Sequence, residues 1–162
     1  MTVPGQGFEP ATGDGPAAPP GRREAELRTA YEGLLQIRRL VNGPAGAAVP
    51  APWEVRQPPR AVALALEAAG ITPSALDAEG RRTRTGYRVA AAPEPGRVHV
   101  TWLGPPGGGA AEEEQERLTA CAAVLEPLGW VCLLYRGPRR RRFLEVEPGT
   151  ADRQTVQPRP GG

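Results

Sequence analysis

Residues 85–91 and 97–103 are two runs of alternating character, separated by the turn signal Pro93-Glu94-Pro95-Gly96. A period of two sends successive side chains to opposite faces of a strand, so the pair predicts a β-hairpin. In the first strand Tyr87, Val89 and Ala91 share one face, and Arg88 and Ala90 the other. In the second, Val98, Val100 and Trp102 point inward, with Arg97, His99 and Thr101 outward. After Gly104-Pro105-Pro106-Gly107-Gly108-Gly109 the period changes, and residues 110–128 read as a helix ended by Gly129. Its core stripe is Leu118, Cys121, Ala122 and Leu125. Residues 130–135 are apolar on both faces, as a central strand would be. Gly137-Pro138 then turns the chain into a last strand over 142–147 that carries Phe143, Leu144 and Val146. The expected fold class is α+β: a four-stranded, mostly antiparallel sheet in ββαββ order over residues 81–148, with one packed helix.

Upstream, Leu27, Ala30, Leu34, Ile37 and Val41 recur at spacings of three and four, which predicts a helix over 22–41. Asn42-Gly43-Pro44 stops it. Residues 43–59 form a Pro/Gly linker in which Trp53 is expected to be pinned to the core by its large apolar area. A short helix over 60–69 ends at Gly70, and residues 71–76 read as a turn followed by one or two helical turns. Thr72 would cap those turns, with Pro73 at the first helical position. Two or three helices in a region spanning 21–80 are thus expected to cover the second face or the edge of the sheet. The apolar stripe of 22–41 needs a neighbour. Docking on the ββαββ unit is the first expectation, and self-association through this helix is the alternative. Residues 1–20 and 149–162, rich in Gly and Pro with few large apolar residues, are expected to be disordered tails.

Composition restrains the functional reading. Hydrophobic residues make up 40% and aromatic ones only 5%, so the core must be built largely from Ala, Leu and Val. All 20 basic residues are Arg, alongside 21 Gly and 20 Pro, a composition that a GC-rich genome imposes through its codons. Arginine abundance alone is therefore weak evidence for nucleic-acid contact, and the formal net charge is only +2. Only local clustering counts. Cys121 and Cys132 lie inside predicted elements among apolar neighbours and read as small buried hydrophobes. Residues 1–10 have neither the basic nor the apolar region of a signal peptide. The longest mainly apolar run, 61–71, is short and contains Glu67, so no membrane span is expected and the expected location is the cytoplasm.

A glycine-rich strand-to-helix stretch can cradle a phosphate, but this one lacks a Gly-Lys-Ser/Thr ending. Glu112, Glu113, Glu114 and Glu116 also occupy the helix start, where they complement its dipole and would repel an anion. His99 is the only histidine, with no nearby acid in sequence to orient it as a base. One His and two Cys do not complete a zinc site without borrowed carboxylates. No cofactor, metal or small-molecule ligand is expected.

The arginines carry more information once connections are followed. If the connection through 110–128 is a crossover, strands 97–103 and 130–135 run parallel. Arg81, Arg82 and Arg84 would then share one end of the sheet with Arg136, Arg139, Arg140, Arg141 and Arg142. These eight residues are the candidate nucleic-acid or anion contacts. Arg88, His99 and Phe143 would add a sheet face for bases, loosely as in sheet-based RNA binders, although no aromatic pair at their spacing is present. The bland alternative is an edge neutralised by the Glu112–Glu116 helix start. Separately, Gly70-Ile71-Thr72-Pro73-Ser74-Ala75-Leu76 resembles the turn and recognition-helix start of helix-turn-helix regulators, with the hairpin as a wing. Glu79-Gly80 would cut that helix short.

The first functional expectation is a small non-catalytic cytoplasmic binding or accessory protein acting through a protein partner. The second is a nucleic-acid-binding protein using the arginine-rich end or the helix-turn-helix-like stretch over 60–82. An enzyme of unknown type comes third.

Overall fold

In a computed structural model that describes residues 7–19 and 21–149, the chain is α+β. Four α-helices lie at Arg23–Val41 (α1), Pro52–Arg56 (α2), Pro58–Ala68 (α3) and Ala110–Leu125 (α4). Strands β1 (Ala75–Leu76) and β2 (Arg82–Arg84) form a small ribbon. Strands β3 (Gly86–Ala91), β4 (Val98–Leu103), β5 (Trp130–Arg136) and β6 (Arg142–Pro148) form the main sheet, in the order β3-β4-β6-β5 with every neighbouring pair antiparallel.

The alternation puts Tyr87, Val89, Val98, Val100, Trp102, Leu144 and Val146 on one face, where all are buried. Helix α4 packs there through Leu118, Cys121 and Leu125, and α3 packs beside it with Ala61–Leu66 nearly sealed from solvent. The Tyr87 hydroxyl reaches into this layer and donates to the Ala11 carbonyl at 2.7 Å. Helix α1 docks on α3 through a stripe that includes the buried Ala30 and Leu34. Both upstream helices therefore lie on the α4 side. Of the expected placements, the second face or the edge of the sheet, the second face is corrected: it is open among the described residues, and α3 packs against the edge strand β3 from the α4 side.

Other expectations need correction too. The linker over 43–59 is folded, with a 3-10 turn at Gly43–Ala48 and α2 after it. One buried ion pair fixes it. Arg38 Nε and Nη2 donate to the two Glu54 carboxylate oxygens at 2.8 and 2.7 Å, with side chains 1% and 0% exposed. Arg38 Nη1 also donates to the Ala47 and Leu128 carbonyls, tying α1 to the turn before β5. Trp53 is buried as expected.

The helical turns expected at 71–76 are absent. Thr72–Ser74 instead lie along the edge of β3: the Tyr87 N–H donates to the Thr72 carbonyl at 3.0 Å, and the Ser74 N–H to the Tyr87 carbonyl at 2.9 Å. Proline holds its predecessor extended, which suits this backbone pairing better than a helix start. A recognition helix therefore does not follow α3.

Residues 8–15 correct part of the disordered-tail expectation over 1–20. They strap the same edge, with the Val89 N–H donating to the Thr12 carbonyl at 2.7 Å. Gly13, at φ +96, passes so close to β3 that a Cβ there would sit 2.2 Å from the Tyr87 carbonyl oxygen. Residues 1–6, 20 and 150–162 of the expected tails lie outside the described residues.

Strand β5 is the largest correction. Its apolar sequence predicted a central position, yet it is the outer strand opposite β3. Its hairpin partner β6 folds back between it and β4. Leu133, Leu134 and Tyr135 are consequently 51%, 40% and 43% exposed.

Candidate functional site

Strands β4 and β5 run parallel, separated by β6, so the expected crossover direction holds. Leu103 pairs with Gly86, and Arg136 with Arg142, at one end of the sheet, where α4 also begins. Both arginine groups stand at this end, but on different strands: Arg81, Arg82 and Arg84 precede β3, whereas Arg136 ends β5, Arg142 begins β6 and Arg141 reaches the Trp102 carbonyl on β4.

The structure also divides them by partner. Arg82 donates to the Gly13 carbonyl and meets Asp14 at 2.7 Å, and Arg88 meets the same carboxylate at 2.7 Å. Burial would push the Asp14 carboxyl up, but the hydrogen bonds from Arg82 and Arg88 outweigh it and hold it below its ordinary value. At the β5–β6 turn the buried Glu114 carboxylate accepts from Arg141 Nε at 2.7 Å and from the Arg142 backbone N–H at 2.7 Å. Arg141 also donates to the Trp102 carbonyl. Arg82, Arg141 and Arg142 thus work as fasteners. Arg81, Arg84, Arg136, Arg139 and Arg140 form no ion pair among the described residues.

Arg139 and Arg140 sit at φ 60° and 63°, both central positions of the β5–β6 turn, which the Arg141 N–H to Pro138 carbonyl bond closes. Positive φ at both places is the type I′ pattern, whose preferred residues are Asn and Gly. A pair of arginines here costs backbone strain and holds two cationic side chains at an exposed tip.

The open sheet face contains a row of rings: sequence reasoning placed His99 and Phe143 on it, and missed Tyr135. His99 on β4 lies 4.6 Å from Phe143 on β6, and Phe143 stacks on Tyr135 of β5 at 5.5 Å with planes 27° apart. Tyr135 and Phe143 are direct cross-strand partners. The rings are far apart or isolated in sequence, and only the register of the β5–β6 hairpin aligns them. A shallow cavity of about 530 Å³ lies beside the row, lined by Arg88, His99, Thr101, Arg142 and Phe143 among others. The Thr101 hydroxyl is buried there without a hydrogen-bond partner among the described residues. Glu145 and Glu147 share this face and engage Arg97 at 3.5 and 3.0 Å.

The two sheet edges differ sharply. Thr12, Thr72 and Ser74 satisfy the β3 edge. On β5, the Gly149–Gly129 and Gly137–Arg141 bonds bracket the ladder with β6. Antiparallel alternation then turns Val131, Leu133 and Tyr135 toward β6, and the backbone groups of Cys132, Leu134 and Arg136 outward. No Pro, Gly, acid or bulge protects this seven-residue strand.

Burial pushes the Cys121 and Cys132 thiols up to about 12, so both are neutral and poor nucleophiles near pH 7. Among the described residues no cluster of His, Cys, Asp or Glu could hold a metal, and no helix is long and apolar enough to cross a membrane. What the arrangement offers is binding chemistry: a strand edge, a ring row and a cationic tip. Comparison with protein-family models, curated proteins and solved structures gives no match.

Proposed function

We propose that this chain is a small non-catalytic cytoplasmic binding protein that acts through a protein partner, captured as an added strand on β5. The observation that carries the reading is the inequality of the edges. The β3 edge is closed by the chain's own backbone, whereas β5 presents outward N–H and C=O groups flanked by the exposed Leu133, Leu134 and Tyr135. Main-chain bonds to such an edge supply affinity, and the alternating side chains supply specificity. Two free cysteines accord with a reducing compartment.

Selection of displayed random peptides on dilute immobilised protein tests it. Extended apolar sequences should be enriched, and their binding should fall at least tenfold in Leu134→Pro, which removes an outward N–H while leaving the ladder to β6 intact. Enriched peptides that bind Leu134→Pro as tightly as the wild type would refute strand addition.

A second reading has its own observation. The His99–Phe143–Tyr135 row beside Arg136, Arg139 and Arg140 offers stacking surface next to cationic side chains, the combination that single-stranded nucleic acid uses. The acidic Glu145 and Glu147 on the same face, and the net charge of +2, rank it second.

A further inference from the structure

We infer that the strand received by β5 is β5 of a second copy of this chain, giving an eight-stranded antiparallel sheet across a two-fold axis. This rests on the strand-addition reading and names its partner. In an antiparallel self-pairing, outward-facing residues must meet outward-facing residues: these are Cys132, Leu134 and Arg136, with Trp130, 2% exposed, at the covered start of the strand. Among the registers that satisfy this, the one centred on Leu133 aligns the seven residues of one copy with the seven of the other. Leu133 then faces its own copy, Val131 faces Tyr135, Cys132 faces Leu134, and Arg136 faces Trp130. No like charges oppose each other, and the apolar side chains exposed on one copy cover those of the other.

Charge at the strand ends favours a second copy over an unrelated strand. The start of β5 follows the exposed Glu126, whereas its end carries the exposed Arg136, Arg139 and Arg140. Antiparallel pairing about Leu133 brings the basic end of each copy to the acidic end of the other. The interface is isologous, and the capped β3 edges stop the sheet from growing further. The assembly closes at two chains rather than running into a fibre. Its open faces join, so the two ring rows lie on one continuous surface.

Sedimentation equilibrium of the full chain over a range of concentrations tests the inference. The mass should rise from the 17.1 kDa of one chain toward twice that value. Leu134→Pro and Leu133→Glu should stay at the mass of one chain with unchanged circular dichroism. Residues in a non-hydrogen-bonded pair approach to about 4.5 Å between Cα atoms, within disulfide reach. Mild oxidation of Leu133→Cys should therefore give a covalent dimer, while Val131→Cys, whose opposite residue is Tyr135, should give none. A dimer that persists in Leu134→Pro and Leu133→Glu overturns the β5 interface. So does a monomer that pairs only after residues 150–162 are removed, which would assign the edge to that segment. A wild-type chain of constant 17.1 kDa mass overturns self-pairing. If that monomer still gains β5 exchange protection from a selected peptide, strand addition stands without it; if not, both readings fall.

Discussion

The Glu114 carboxylate, 2% exposed, meets the Arg141 guanidinium at 2.7 Å and so fastens the start of α4 to the β5–β6 turn. It also accepts the Arg142 backbone N–H at 2.7 Å in a part-buried position. Glu114→Ala should lower stability by about 1–3 kcal/mol, the cost of leaving a buried donor unpaired. Glu112→Ala, two residues earlier and on the exposed side of the helix, should change it by less than about 0.5 kcal/mol. Urea titration of the two variants reads the difference.

Breaking the Arg38–Glu54 pair should cost more. Both side chains are sealed, and Arg38 also holds two backbone carbonyls, so Glu54→Ala leaves an uncompensated charge in the core. A loss of about 3–5 kcal/mol is expected by chemical denaturation. A loss below about 1 kcal/mol would mean that the N-terminal helix is not anchored in this way.

The turn tip separates stability from binding. Arg140→Gly relieves a left-handed backbone at a non-glycine residue and should raise stability by roughly 1 kcal/mol. If the tip contacts nucleic acid, the same change should weaken binding to labelled single-stranded DNA or RNA. Changing Arg136, Arg139 and Arg140 to Ser should flatten the salt dependence of that binding by up to about one unit per lost phosphate contact. Absence of binding at low salt would exclude the nucleic-acid reading outright.

The strap over β3 should respond to acid. Asp14 is held below its ordinary carboxylate value by Arg82 and Arg88, so its ion pairs contribute above that value and are lost as pH falls through and below it. Below about pH 4 the Val89 amide, bonded to the Thr12 carbonyl, should therefore exchange faster than the Val100 amide within the sheet. Asp14→Asn should make Val89 exchange faster at neutral pH as well. Equal protection of Val89 in the variant and the wild type would leave Asp14 without a part in holding the strap.

The parts of the fold that follow from local periodicity could be read directly from the sequence. The alternation at Tyr87–Val89 and at Val98–Val100–Trp102 fixed the buried face, and the Leu118–Cys121–Leu125 stripe fixed how α4 lies on it. Strand order is not a local property. The apolar run Val131–Cys132–Leu133–Leu134 suits a buried strand and an adhesive edge equally well, and only the return of β6 to β4 decides between them. Thr72-Pro73 reads as a helix start unless the β3 edge it caps is already in place. Of the eight arginines singled out, the shared end was legible from topology, but their division by Asp14 and Glu114 was not. Asp14 lies in a segment whose Gly and Pro content suggests no structure at all, and it becomes ordered through backbone contacts to β3.

Amide exchange along β5, with and without its bound strand, tests the central claim most directly. Val131, Leu133 and Tyr135 already bond to β6, so their protection should be high in both states. Cys132, Leu134 and Arg136 should exchange fast in the free chain and slow at least tenfold when the added strand is present. This alternation along consecutive residues is the signature of strand addition. Uniform protection of β5, or new protection confined to α1 or to the arginine turn, would contradict it.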